Sequence, residues 1–181
     1  MGSPVFFRQR RVGLDGREFE IVKIRSMTVP ASPEEEPQLT ALGAFLRRTS
    51  IDELPQLFNV LRGDMSLVGP RPERPELADA FARQIYRYGE RHRAKSGITG
   101  WAQVHGLGRG PERFSERSLA ERVEWDNYYI ENWSLLLDLK IIALTVRALA
   151  CFVQSDVGND HVRVLAVDEE AVQPSPAQSA A

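Results

Sequence analysis

A chain of 181 residues with 43% apolar content is long enough to bury a core without disulfides or structural metals. Its formal net charge of -2 argues against general nucleic-acid affinity. Cys151 is the only cysteine, which excludes an internal disulfide and suits a reducing compartment.

Charge is unevenly spread. Residues 1 to 30 carry Arg8, Arg10, Arg11, Arg17, Lys23 and Arg25 against Asp15, Glu18 and Glu20, while residues 156 to 181 are acidic. A basic end can face anionic lipid or phosphates, or it can be an ordinary solvated strand face. Val5 to Val12 and Arg17 to Ile24 read as two strands, with Gly13-Leu14-Asp15-Gly16 as the turn of a hairpin. Residues 30 to 37, PASPEEEP, form a polar loop, and a helix is expected from about Leu39 to Arg48.

The run from Arg47 to Pro72, RRTSIDELPQLFNVLRGDMSLVGPRP, carries the most information. Ser50 and Glu53 fit an S-x-x-E capping box, whereas Asp52 as the cap would put Pro55 at N3, where its missing N–H costs nothing. Both starts fit the sequence. Either way Asp52 lies in the field of a helix N-terminus, which favours the carboxylate and leaves it available as a nucleophile or metal ligand. Taken alone, an acidic residue in a first turn is ordinarily a cap or a dipole partner. Ile51, Leu54, Phe58 and Leu61 give this helix an apolar stripe, and Gly63 stops it. Pro70 and Pro72 hold the backbone around Arg71 extended, which reduces the entropy lost when its guanidinium grips a phosphate with two prongs. A surface salt bridge is the plainer role for Arg71.

Another helix follows Pro75, with Tyr86 and Tyr88 beside it. Gly97 to Gly106 reads as extended, its glycines allowing tight backbone approach. The segment GLGRGPERF lacks the lysine and hydroxyl of a P-loop and reads as a mobile loop near the site. A C-terminal helix spans Trp133 to Val153. Leu135, Leu139, Ile142, Val146, Leu149 and Val153 form its core stripe, and Leu137, Ile141, Leu144, Ala148 and Phe152 form a second apolar face nearly opposite. Such a helix is either sandwiched between layers or lies at a bilayer surface. Asp138, Lys140 and Arg147 make it a poor transmembrane span. Cys151, among apolar neighbours, is expected to be buried and inert. His92, His105 and His161 have no partner at ligand spacing, so a zinc site is not expected. Residues 156 to 181 have the composition of a disordered tail.

The stretches GSPVFFRQRRVGLDGREFEIVKIRSM, LRRTSIDELPQLFNVLRGDMSLVGPRPERPE, SGITGWAQVHG and DNYYIENWSLLLDLKII together resemble the bacterial sugar transferases. These are monotopic phosphoglycosyl transferases, which start polysaccharide and glycoconjugate assembly on a polyprenyl phosphate carrier at the cytoplasmic face of the bacterial inner membrane. The resemblance implies a UDP-sugar donor, an undecaprenyl phosphate acceptor, Mg²⁺, and a two-step transfer. In that transfer an aspartate attacks the β-phosphate, UMP leaves, and the acceptor takes the phosphosugar. By the same resemblance the nucleophile falls on Asp52, the metal-associated glutamate on Glu53, with Asp52 beside it, and phosphate-binding cations on Arg71 and Arg47. Lys23 and Arg25 match the basic K-x-R-[ST]-M positions near the phosphates, although Lys23 alone could be a snorkelling strand residue. His105 stands where the family commonly has asparagine; contact with sugar or nucleotide there would shift substrate choice.

The expected fold class is α+β. It is a mostly helical compact domain over residues 2 to 155, with a small N-terminal hairpin and amphipathic helices at a membrane surface. The family's membrane-inserted helix ahead of the GPVFF-like strand has no counterpart in this sequence. The chain therefore reads as a catalytic domain of a longer protein, a shortened form, or a peripheral member. The alternative to an enzyme is a non-catalytic nucleotide-sugar-binding or scaffold protein of a membrane glycan-assembly complex.

Overall fold

A computed structural model of the chain describes residues 5–30, 32, 35–107 and 115–155. Its elements, in order, are β1 (Phe6–Val12), β2 (Glu18–Ile24), α1 (Ala41–Arg48), α2 (Leu57–Arg62), β3 (Ser66–Val68), α3 (Pro75–Gln84), β4 (Gly97–Thr99), α4 (Trp101–Val104), α5 (Glu116–Glu131) and α6 (Leu135–Ser155). The class is α+β and mostly helical, as expected, with 3-10 turns at Leu14–Gly16, Ile51–Gln56 and Tyr88–Arg93.

The hairpin sets the geometry of everything that follows. Antiparallel register pairs Phe7 with Lys23, Gln9 with Ile21 and Arg11 with Phe19. Because strand side chains alternate, those six residues share one face. Ile21 on that face is fully buried. On the other face Arg8 pairs with Glu20 and Arg10 with Glu18 in solvent. The basic end is thus, at Arg8 and Arg10, a solvated and internally neutralised strand face. The turn is tight enough to put Asp15 and Gly16 at positive φ.

Local chemistry moves three boundaries from their expected places. Helix α1 starts at Ala41 rather than Leu39 because Thr40 caps it, its hydroxyl accepting the Gly43 N–H at 2.9 Å, while Leu39 bridges Met27. The Asp52 segment is a 3-10 turn, not the start of an α-helix. Ser50 is left-handed (φ 57°) and makes no side-chain cap, so neither expected cap forms. Pro55 cannot donate to the Ile51 carbonyl, so regular helix begins only at Leu57. It ends, as expected, at Gly63 with φ 90°. Finally, the expected extended run from Gly97 stops at Thr99. The Val104 N–H reaches the Gly100 carbonyl at 3.1 Å and closes the short helix α4.

Strands β3 and β4 are parallel, Ser66 opposite Gly97 and Val68 opposite Thr99. The backbones approach so closely around them that a Cβ on Gly97 would lie 2.1 Å from the Gly69 nitrogen.

Two apolar clusters hold the layers. One joins Val12 to Ala78, Phe81, Ile85, Tyr88, Leu119 and Val123, tying the hairpin to α3 and α5. The other joins Val68, Trp101, Tyr129 and Ile141, tying β3 and α4 to α5 and α6. Helix α6 corrects the sequence reading. The stripe expected to be core is turned outward at Leu135, Leu139 and Val146, exposed by 67%, 54% and 60%, although its Ile142 packs against the core and its Leu149 is half-buried. The second face packs inward through buried Ile141 and half-buried Leu137 and Leu144, while its Ala148 is exposed. The helix is therefore not sandwiched. Asp138 explains the orientation: Tyr129 Oη and Trp133 Nε1 both donate to its carboxylate, at 2.8 and 3.2 Å, and turn that flank toward α5. Cys151 is half-buried rather than buried. Among the described residues no helix is long and apolar enough to cross a membrane. Most of the GLGRGPERF loop, His161 and the acidic tail lie outside the described residues.

Candidate active site

Lys23, Glu53 and Arg71 arrive from three separate elements. The inward face of β2 delivers Lys23, the 3-10 turn delivers Glu53, and the segment between Pro70 and Pro72 delivers Arg71. Lys23 Nζ donates to Glu53 Oε1 at 2.6 Å, and an Arg71 nitrogen donates to the same oxygen at 2.8 Å. The other Arg71 nitrogen lies 3.5 Å from Oε2. Burial alone would raise the pKa of Glu53, but Arg71 and Lys23 overcome it and hold the carboxyl at about 2. Lys23 lies below the ordinary lysine range because burial outweighs the attraction of Glu53.

Asp52 is different. It is only 6% exposed, yet its carboxylate has no hydrogen-bond or ion-pair partner among the described residues. Burial raises its pKa and the Glu53 charge adds to the rise, while Lys23, Arg47 and Arg71 oppose it. This reverses the expected direction. A six-residue 3-10 turn without a cap offers too weak a terminal field to offset desolvation.

Arg47 is held by donation from Nε to Ser26 Oγ at 2.7 Å and bears on Asp52 through its charge. Arg25 lies over the Phe7 ring, 5.7 Å from its centroid, and is not among the residues lining the pocket. That pocket is lined by Arg11, Ile21, Lys23, Glu53, Gln56, Arg71, Pro72 and Gly97. Three cationic side chains in its wall suit it to an anionic head group such as phosphate.

The donor set fits a hard divalent cation that shares its coordination with a substrate. Among the described residues there is no cluster of three or more metal-ligating side chains, but Mg²⁺ needs only one or two carboxylates when phosphates and waters complete its shell. Asp52 and Glu53 Oε2, which Arg71 approaches only to 3.5 Å, are the oxygens that could hold it.

Sequence reasoning overlooked Arg11 and Gln56 in the pocket wall. Arg11 was legible, because the antiparallel register places it on the same face as Lys23. It also overlooked two buried ion pairs, Arg91 with Asp126 at 2.6 Å and Arg122 with Glu73 at 2.8 Å. Their partners lie far apart in sequence, and helix α5, which supplies Arg122 and Asp126, was not foreseen. His105 packs on Trp101 and Trp125 with ring centroids 4.2 and 4.3 Å away, its Nδ1 2.8 Å from the Trp101 carbonyl. It too lies outside the pocket lining.

A family model described as bacterial sugar transferase matches residues 1–151. The chain is 49% identical over 157 residues to a UDP-glucose:undecaprenyl-phosphate glucose-1-phosphate transferase of Xanthomonas campestris, covering 81% of this chain and 32% of that protein. It is 46% identical over 151 residues to the protein of the same name from Escherichia coli, covering 80% and 32%. It is also 43% identical over 155 residues to a UDP-N-acetylgalactosamine-undecaprenyl-phosphate N-acetylgalactosaminephosphotransferase of Aeromonas hydrophila, covering 81% and 36%. The chain thus spans about a third of the length of each of these relatives.

Proposed function

The chain belongs to the bacterial sugar transferase family, and on that premise we propose that it moves a phosphosugar from a UDP-sugar to undecaprenyl phosphate through a covalent intermediate on Asp52. The observation that carries the reading is the contrast within the acidic pair: Glu53 is clamped by two cations, and buried Asp52 has no partner. A desolvated carboxylate of raised pKa is a stronger nucleophile than a solvated one.

One Asp52 oxygen attacks the β-phosphorus. The bond from that phosphorus to the oxygen bridging the α-phosphate breaks, and UMP leaves with the electron pair. An oxygen of undecaprenyl phosphate then attacks the same phosphorus and releases the Asp52 carboxylate. Splitting one displacement into two is what a carboxylate nucleophile offers. Lys23 and Arg71 hold Glu53 and line the pocket where phosphate charge would gather, and Arg47 stabilises the Asp52 carboxylate. Mg²⁺ held by Asp52 and Glu53 would supply neutralisation of the diphosphate.

Residues 2 to 155 form the catalytic domain in this reading, which acts at the cytoplasmic face of the inner membrane. The outward leucines of α6, with Leu54, Phe58 and Leu61 exposed near the site, suit the interfacial layer of a bilayer that holds the lipid acceptor.

The relatives differ in their sugar, so the test is UMP release with Mg²⁺ from a panel including UDP-glucose and UDP-N-acetylgalactosamine, with and without undecaprenyl phosphate in detergent. Acceptor-dependent UMP release from at least one donor is expected. Binding of UDP-sugar by folded protein without UMP release from any donor would replace the transfer reading with the scaffold one.

A further inference from the structure

The segment Pro70-Arg71-Pro72-Glu73 has an uncommon hydrogen-bond pattern. All four carbonyls accept a bond from outside the segment, each from a different donor. The Gly97 N–H reaches the Pro70 carbonyl at 3.0 Å, and an Arg91 nitrogen reaches the Arg71 carbonyl at 2.9 Å. An Arg11 nitrogen reaches the Pro72 carbonyl at 3.0 Å, and the Val12 N–H reaches the Glu73 carbonyl at 2.9 Å. Both prolines lack an N–H, so this stretch cannot be fixed by a two-way strand ladder. Its register depends on its acceptors. Three anchors come from the backbone or from a side chain in the pocket wall. The fourth, Arg91, is buried on a 3-10 turn, and the nitrogen that reaches the Arg71 carbonyl also donates to buried Asp126 at 2.6 Å.

We propose that Arg91 is a positioning residue, which fixes the backbone of Arg71 so that its guanidinium stands ready beside Glu53 before phosphate arrives. The inference rests on the reading of Arg71 as a phosphate-binding group. Arg91 does not line the pocket, so it acts only through the carbonyl it holds. Asp126 supplies the counter-charge that keeps the guanidinium turned toward that carbonyl. The neighbouring Arg122 is paired with the side chain of Glu73, the last residue of the same segment, at 2.8 Å. A pre-ordered guanidinium loses less freedom on gripping its ligand, so the contribution of Arg91 appears in binding only while Arg71 is present.

A double-mutant cycle tests this, with UDP in the presence of Mg²⁺ as the probe and titration calorimetry as the readout. Arg91→Lys keeps a positive charge for Asp126 but loses the rigid guanidinium, which holds one nitrogen on both the Arg71 carbonyl and Asp126 while another reaches the Tyr88 hydroxyl. With Arg71 intact it is expected to weaken UDP binding about ten-fold, and in an Arg71→Ala background by less than about two-fold. Equal weakening in both backgrounds would mark Arg91 as merely structural and overturn the proposal. So would no weakening in either, or wild-type protein that does not bind UDP. If Arg91→Lys does not fold, Asp126→Asn keeps the shape, loosens Arg91 and is expected to show the same dependence on Arg71. UMP release measured in parallel separates the two claims. A cycle that couples in a protein that releases no UMP would sink the transfer reading and leave the role of Arg91 standing.

Discussion

Two charge clusters meet at Arg71, one at its side chain and one at its carbonyl, and they are built to opposite rules. Behind the segment, Arg91 with Asp126 and Arg122 with Glu73 are buried and paired charge for charge. In front, one carboxylate serves two cations while a second, Asp52, is buried without a partner. Paired buried charges fix a structure. An unpartnered one costs stability and persists where it has a task. On the proposed reading, that difference marks the rear cluster as scaffold and Asp52 as the reacting group.

The sharpest way to break that contrast is at Asp52. Asp52→Asn is expected to lower UMP release by at least about 10³-fold and to leave the midpoint of thermal unfolding unchanged or raised, since it removes a charge whose burial outweighs the attraction of the nearby cations. A lowered midpoint with retained turnover would make Asp52 a structural residue. The rear cluster should behave in the reverse sense. Asp126→Ala strands the Arg91 charge and is expected to cost about 3–5 kcal/mol in urea denaturation. Glu53→Gln lies between the two. It keeps the shape but loses the charge that Lys23 and Arg71 share, with an expected cost of about 1.5–3 kcal/mol and weakened Mg²⁺-dependent turnover.

Acid unfolding sharpens the comparison further. The folded-state pKa of Glu53 lies below its ordinary 4.5, at about 2. The stability it contributes is therefore complete above about pH 4.5 and lost as pH falls toward 2. Asp52 is shifted upward, so its protonation favours the folded state and works against that loss. Urea midpoints between pH 5 and pH 2.5 should fall more steeply in the wild type than in Glu53→Gln. The smallest effect belongs to the outer strand face. Arg8→Ala breaks a solvent-exposed pair with Glu20 and is expected to cost less than about 1 kcal/mol.

What the sequence made legible was what is local or repeats with a fixed period. The hairpin and its inward Lys23 follow from alternation, the stop at Gly63 from the ease with which glycine takes a positive φ, and the Pro-Arg-Pro segment from residue type alone. Where two local signals competed, the sequence could not choose between them. Ser50, Asp52 and Pro55 proposed two helix starts, and the chain takes a 3-10 turn instead. Helix α6 is apolar on two faces, so periodicity alone could not tell inside from outside. Asp138, bonded to Tyr129 and Trp133 of the preceding chain, decides it. The rear charge cluster was invisible because its ion pairs join residues 35 and 49 positions apart, and nothing local marks Arg91 as different from the other basic residues of its turn.

The most direct test of the account is intact-mass analysis of the folded protein after incubation with a UDP-sugar and Mg²⁺ but no lipid acceptor. A mass increase equal to one phosphosugar, located to the peptide carrying Asp52 and absent in Asp52→Asn, is the predicted result. A protein that releases UMP when acceptor is added, yet never carries that adduct or carries it equally in Asp52→Asn, would contradict the claim that the unpartnered carboxylate is the nucleophile.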